Sequence, residues 1–229
     1  MKEHKPFEGF SPEAGQFMLE LKFNNERSWF KPRKEIFDEV VYEPFSALAR
    51  ETTEILQEMF PEKEIDLHVS RIYRDARRLY GRGPYKEELW FSLKTWAGPM
   101  RGPGFWFEFN AVEYMFGMGF WNASASQTEA WRASIDANPN ELDRIVTELE
   151  KDHPELELSG PRYKKPKKIM GNHLDSWYNQ RQVQMICTRE LGGDFYLSDF
   201  PKKLAEEYAA LMPLYDYFMK HCPPEPYRH

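Results

Sequence analysis

The sequence predicts an α+β fold, with an antiparallel or mixed sheet of about five strands flanked by N-terminal, middle and C-terminal helices. Three observations predict it. Apolar residues recur at helical spacing from Ala14 to Met59, alternate strictly from Leu89 to Phe120, and return to helical spacing from Leu142 to Leu149 and from Leu204 to Phe218. No low-complexity linker and no internal repeat separates these stretches, so one α+β domain over 1–229 is expected. A chain of 229 residues buries roughly 70% of its unfolded surface, which gives it a core without covalent staples.

The elements follow in order. Ser11-Pro12-Glu13 starts a helix, with Ser11 accepting from an orphan N–H and Pro12 at the first helical position, and Ala14, Phe17, Met18 and Leu21 form its apolar stripe. A second helix from about Glu26 carries Trp29, Phe30, Arg33, Ile36, Phe37 and Val40, and should end or kink before Pro44. Phe45, Leu48, Thr52, Ile55, Leu56 and Met59 make a third stripe, stopped near Pro61. Four strands joined by short turns then favour antiparallel pairing: a loose one over 65–74, Leu89/Phe91/Leu93, Phe105/Phe107/Phe109, and Tyr114/Phe116/Met118/Phe120. Gly117 and Gly119 lie on the face opposite those last aromatics, which leaves room for a close-packed helix or a ligand. Ser126-Gln127-Thr128-Glu129 and Asn138-Pro139-Asn140-Glu141 have the spacing of capping boxes. Residues 181–190 read as a late strand, and Ser198 or Asp199 opens a final helix in which Pro213 is expected to make a kink.

The 36 aromatic residues serve first as core, with a ligand wall as the second reading. Cys187 and Cys222 make no metal or redox spacing, and "MKEHKPFEGF" has no apolar segment for export. A reduced, cytoplasmic protein with no membrane span is expected. The net charge is −6, yet residues 71–86 hold six Lys/Arg and one Asp, and 162–168 hold five Lys/Arg and no acid. Outside those windows 20 basic residues face 36 acidic ones, so each island is a local positive site in an acidic body. That overall acidity weighs against nucleic acid as the main partner, and the 162–168 island is expected to be a solvated loop.

Chemistry is expected in the first island, "RIYRDARRLYGRGPYK". Arginine binds carboxylate and phosphate through a planar two-pronged fork. On a strand continuing from 66–74, Arg71, Asp75 and Arg77 share one face while Arg74 and Arg78 point the other way. The glycines of "YGRGPYK" offer backbone N–H groups to an anion, with Tyr85 and Lys86 closing the site, although the Gly-Lys-Ser/Thr ending of a nucleotide phosphate loop is missing. Set against this is a network of arginines paired with the molecule's own acids. Asp66 with His68, and Glu108 with Glu113, are weaker pairs. The remaining histidines, His4, His153, His173, His221 and His229, are scattered, and no metal or cofactor is predicted.

The island resembles the signature of the family known as domain of unknown function 2461, an Arg-x-x-Arg-Asp-x-Arg core leading to Pro-Tyr-Lys. Arg71, Arg74, Asp75, Arg77, Pro84, Tyr85 and Lys86 match it. "NNERSWFKPRK" resembles the family's Asn-Asn-x-Arg-x-Trp-Phe opening through Asn25, Arg27, Trp29 and Phe30, and brings in Lys34. "GFWFEF", "GMGFW" and the closing helix resemble further segments, so the likeness spans nearly the whole chain. Arg78, Gly81 and Arg82 depart from the family's Phe and Asp-Lys and make this island more positive. The resemblance implies an order of elements and no activity, and it suggests that Arg27 and Lys34 stand near the basic strand. The expectation is a small anionic ligand held by Arg71, Arg74, Asp75, Arg77, Tyr85 and Lys86 with Arg27 and Lys34. Catalytic residues, enzymatic action and oligomeric state are left open. A nucleic-acid or acidic-protein module and a purely structural arginine network are the alternatives.

Overall fold

A computed structural model of the chain describes residues 5–96, 98 and 100–226; His4 and His229 and the side chain of Arg78 lie outside that description. In chain order the elements are α1 (Pro12–Phe23), α2 (Arg27–Phe30), a 3-10 turn (Lys31–Arg33), α3 (Lys34–Phe37), a π-helical turn (Asp38–Tyr42) and α4 (Glu43–Met59). Next come β1 (Asp66–Val69), a 3-10 turn (Ala76–Arg78), β2 (Leu89–Lys94), β3 (Met100–Arg101), β4 (Pro103–Phe109) and β5 (Glu113–Phe120). The chain continues through α5 (Ala125–Ala137), α6 (Pro139–Asp152), β6 (Glu157–Ser159), α7 (Leu174–Tyr178) and β7 (Gln184–Glu190). It ends with a 3-10 turn (Gly193–Tyr196), α8 (Phe200–His221) and β8 (Glu225–Pro226). The fold is α+β: an antiparallel six-stranded sheet in the order β1-β2-β4-β5-β7-β6, and a second small sheet of β3 and β8.

The chain divides into two compact units. The first comprises Met1–Leu93, Trp106–Met115 and Thr188–Glu207. Its core is a chain of aromatic contacts through Phe45, Phe91, Phe107, Tyr114 and Phe195, with ring centroids 5.3–5.9 Å apart, and Phe10 stacks on Phe195 at 4.2 Å. Phe91, Phe107 and Tyr114 come from the alternating positions of β2, β4 and β5, which is why the period-two stretches bury one face, and Phe45 from α4 and Phe195 from the 3-10 turn pack onto it. The second comprises Lys94–Phe105, Phe116–Cys187 and Tyr208–His229. Phe105 packs on Tyr215 at 4.8 Å, and Phe120 and Trp131 pack edge-on against Phe218. No helix among the described residues is long and apolar enough to cross a membrane.

Five local expectations are corrected. Before Pro44 the chain stays helical but not regularly α-helical: a π turn over Asp38–Tyr42 precedes α4, and the wider i→i+5 spacing accommodates a residue with no N–H. The Ser11 side chain caps no helical N–H; it hydrogen-bonds to Glu13 and holds that carboxyl below its usual range. The capping box of α5 is Ser124 with Gln127, two residues earlier than the Ser126 spacing suggested, and Asn138 makes no side-chain cap for α6. The first strand stops at Val69, and residues 76–78 form a 3-10 turn. The space facing Gly117 and Gly119 is filled by backbone, not by a helix. A Cβ at either position would lie 2.1 Å from the Met185 or Val183 carbonyl oxygen, so β7 and the residue just before it make the close approach.

Candidate anion site

After Val69 the β1–β2 pairing continues irregularly. Ser70 N donates to Trp90 O (2.8 Å), Lys86 N to Ile72 O (2.7 Å) and Arg74 N to Pro84 O (2.9 Å), and Tyr73 bridges Tyr85. The loop between them is held from both ends. Asp75 accepts the backbone N–H of Arg77 (3.0 Å) and takes its guanidinium in a two-pronged contact at 2.9 and 3.1 Å. Tyr80 and Gly81 then turn the chain at φ 48° and 80°. At the far end Asn25 acts as a clamp: its Nδ2 donates to Tyr85 O and its Oδ1 accepts from Tyr85 N, both at 3.0 Å. Gly83 is needed beneath that clamp, because a Cβ there would meet Asn25 Oδ1 at 2.2 Å.

These contacts sort the expected site residues. Arg74 donates through Nε to Tyr85 O (2.6 Å), its NH2 lies 3.7 Å from Glu87, and its side chain is only 11% exposed. It braces the turn from inside. Arg77 and Asp75 neutralise each other at the surface, where the Arg77 side chain is 87% exposed. The single-strand face that would have aligned Arg71, Asp75 and Arg77 does not form, since the chain curls into a 3-10 turn once Asp75 captures the Arg77 N–H. Tyr85 is buried, stacked on Phe30 at 4.1 Å, and burial raises its hydroxyl pKa while Arg27 lowers it.

Arg71 and Lys34 do come together. They line a cavity of about 180 Å³ with Phe30, Phe37, Tyr42, Ile72, Tyr73 and Asp38. Lys34 pairs with Asp38 one helical turn on, and that hydrogen bond lifts its ammonium above the ordinary lysine range. Arg71 has no carboxylate partner among the described residues. With Lys34 and Asp38 cancelling, the cavity carries one unbalanced positive charge.

Lys86 is half-buried, its ammonium 5.3 Å from the Trp90 ring centre. Burial lowers its pKa, Arg71 and Arg74 push in the same direction, and Glu88 and Glu108 oppose them. Glu108 is pushed up to about 7, first by burial and then by Glu88 and Glu113, with Lys86 pulling the other way. The sequence reading did not single out Asp38, Tyr42, Trp90 or the clamping role of Asn25. Lys34-x-x-x-Asp38 is the one visible signal among them, as an i,i+4 ion pair.

Compared with known families, residues 13–217 match the conserved hypothetical protein family DUF2461. The chain belongs to that family. The match takes in the clamp, the arginine turn and the aromatic cavity of this DUF2461 protein together. A search of the curated proteins finds no match.

Proposed function

We propose that this DUF2461 protein binds a small anionic ligand, bearing a carboxylate or a phosphate, in the cavity between Arg71 and Lys34. One observation carries the reading: a guanidinium with no carboxylate partner among the described residues lines an aromatic-walled hollow whose other two charges, Lys34 and Asp38, cancel each other. A hollow of about 180 Å³ is smaller than typical drug-sized pockets of roughly 300–1,000 Å³, which favours a compact organic acid or phosphate ester. Arg71 would grip the anion through its fork, and Phe30, Phe37, Tyr42 and Tyr73 would cover the ligand's apolar part.

In this reading Arg74, Tyr85 and Asp75 hold the turn that carries Arg71, while Arg27 and Lys86 add positive field nearby. Arg77 is engaged by Asp75 and makes no ligand contact. The structural-network alternative is favoured at Arg74 and Arg77, whose partners are groups of the same molecule: a carbonyl and a carboxylate for Arg74, and the Asp75 carboxylate for Arg77.

A thermal-shift screen of carboxylates and phosphate esters tests the proposal. A ligand at 100 times its dissociation constant stabilises by about 2.7 kcal/mol, or about 5–11 °C for a chain of this length. Arg71→Gln should abolish that shift while leaving the unliganded melting temperature unchanged. A broad library without a hit, or a shift that survives Arg71→Gln, would overturn it.

A further inference from the structure

The second basic stretch leads elsewhere. Within the second unit the segment 161–168 runs beside 179–181: Arg181 N donates to Pro161 O (2.7 Å) and Tyr163 N to Asn179 O (3.1 Å). The Asn179 side chain then accepts from Lys167 N (2.6 Å) and donates to Lys168 O (2.8 Å). The loop is thereby pinned along its backbone, and its charged side chains are left outward. Lys168 pairs with Asp136. By contrast Arg162, Lys164, Lys165, Lys167 and Arg181 are all exposed and have no carboxylate partner among the described residues. The strand end nearest in backbone pairing carries an exposed aromatic. Phe120 N donates to Val183 O (2.9 Å), two residues past Arg181, and the residue after Phe120, Trp121, is 79% exposed.

We infer that this face of the second unit is a docking surface for single-stranded nucleic acid, with Trp121 as a stacking platform and the five cations tracking the phosphate backbone. Grooves that take single strands without sequence preference combine these two features. The phosphates of a bound strand would also offset the repulsion among four like charges on the pinned loop and Arg181 beside it, and release of the strand's counterions would drive the binding. A lipid surface fits less well, because the cations outnumber the exposed large apolar side chains Trp121 and Ile169, and Arg132 and Lys167 approach the Tyr163 ring at 5.4 and 4.8 Å. The net charge of −6 does not forbid the contact, since at physiological salt charges beyond about 8 Å are largely screened.

Fluorescence anisotropy with a short labelled oligothymidine tests the inference on the full chain. Binding should weaken as salt rises from about 50 to 200 mM, with a log–log slope of about −2 to −3.5 if three to five phosphates are neutralised. Trp121→Ala should weaken it about ten-fold or more, and Lys164→Glu with Lys165→Glu should remove it. All three side chains are exposed, so an unchanged melting temperature verifies that these variants fold. Arg71→Gln should have no effect, which separates this surface from the anion cavity. The inference is overturned by absence of binding at low salt, by binding that Trp121→Ala and the double reversal leave intact, or by equal competition from polyglutamate or anionic phospholipid vesicles.

Discussion

Residues 71–86 and 162–168 are both crowded with lysine and arginine, yet the fold treats them in opposite ways. In the first, Arg74 is drawn inside to hold a carbonyl and face Glu87, Arg77 is closed onto Asp75, and Arg71 alone lines a cavity. In the second, one lysine finds an acid while Arg162, Lys164, Lys165 and Lys167 stay displayed on a pinned loop. The difference is one of surroundings. The first stretch is threaded between a ladder and the Asn25 clamp, where the Arg74 fork adds a second donor to the Tyr85 carbonyl that Asn25 already holds. The second is anchored through backbone groups, which leaves its side chains free. Charge density along a chain therefore says little about which charges a partner can reach.

The largest effect that would sharpen this contrast is on stability at Arg74. Arg74→Ala removes a charge-assisted bond to Tyr85 O and leaves Glu87 without its nearest cation, a loss of about 2–3 kcal/mol. Thermal denaturation should show a fall of about 4–12 °C, and Arg74→Lys should restore little of it, since an ammonium lacks the fork. A shift below about 1 °C would mean that Arg74 is no brace and that the two stretches are alike after all.

Next in size is the titration of Glu108. Its folded pKa stands at about 7 against an ordinary value of 4.5, so the folded chain holds this proton more tightly than the unfolded one. The stability tied to it is complete below pH 4.5 and is lost as pH rises to about 7. Glu108→Gln, which never ionises, should thus gain about 1–2 kcal/mol over the parent at pH 8, after allowing for solvent screening, and nothing near pH 4.5. Denaturant melts at the two pH values measure this, and an equal gain at both would place the cause in packing instead of charge.

The smallest effects belong to the exposed cations. Arg77→Ala, and separately Lys164→Glu with Lys165→Glu, should leave the melting temperature where it is, because exposed ion pairs and solvated lysines contribute almost nothing to folding. A clear loss in either would show that the surface of one stretch is as structural as the interior of the other.

What the sequence determined by itself is whatever rests on short-range periodicity. Phe105, Phe107 and Phe109 must share a face in any extended chain, and Leu142, Ile145, Val146 and Leu149 must share one in any helix, so the α+β class and the buried stripes were legible from spacing alone. The anion cavity was half legible: Arg71 and Lys34 could be named, but Asp38, Tyr42 and the clamp could not. Only the tertiary structure decided that the first strand halts at Val69, that a π turn precedes Pro44, and that Arg74 meets a carbonyl eleven residues on. The reason is that a hydrogen bond between Asn25 and Tyr85 joins positions 60 apart in sequence. Local propensity has no term for such a partner, and it is the partner that sets which cations are consumed within the fold and which remain on offer.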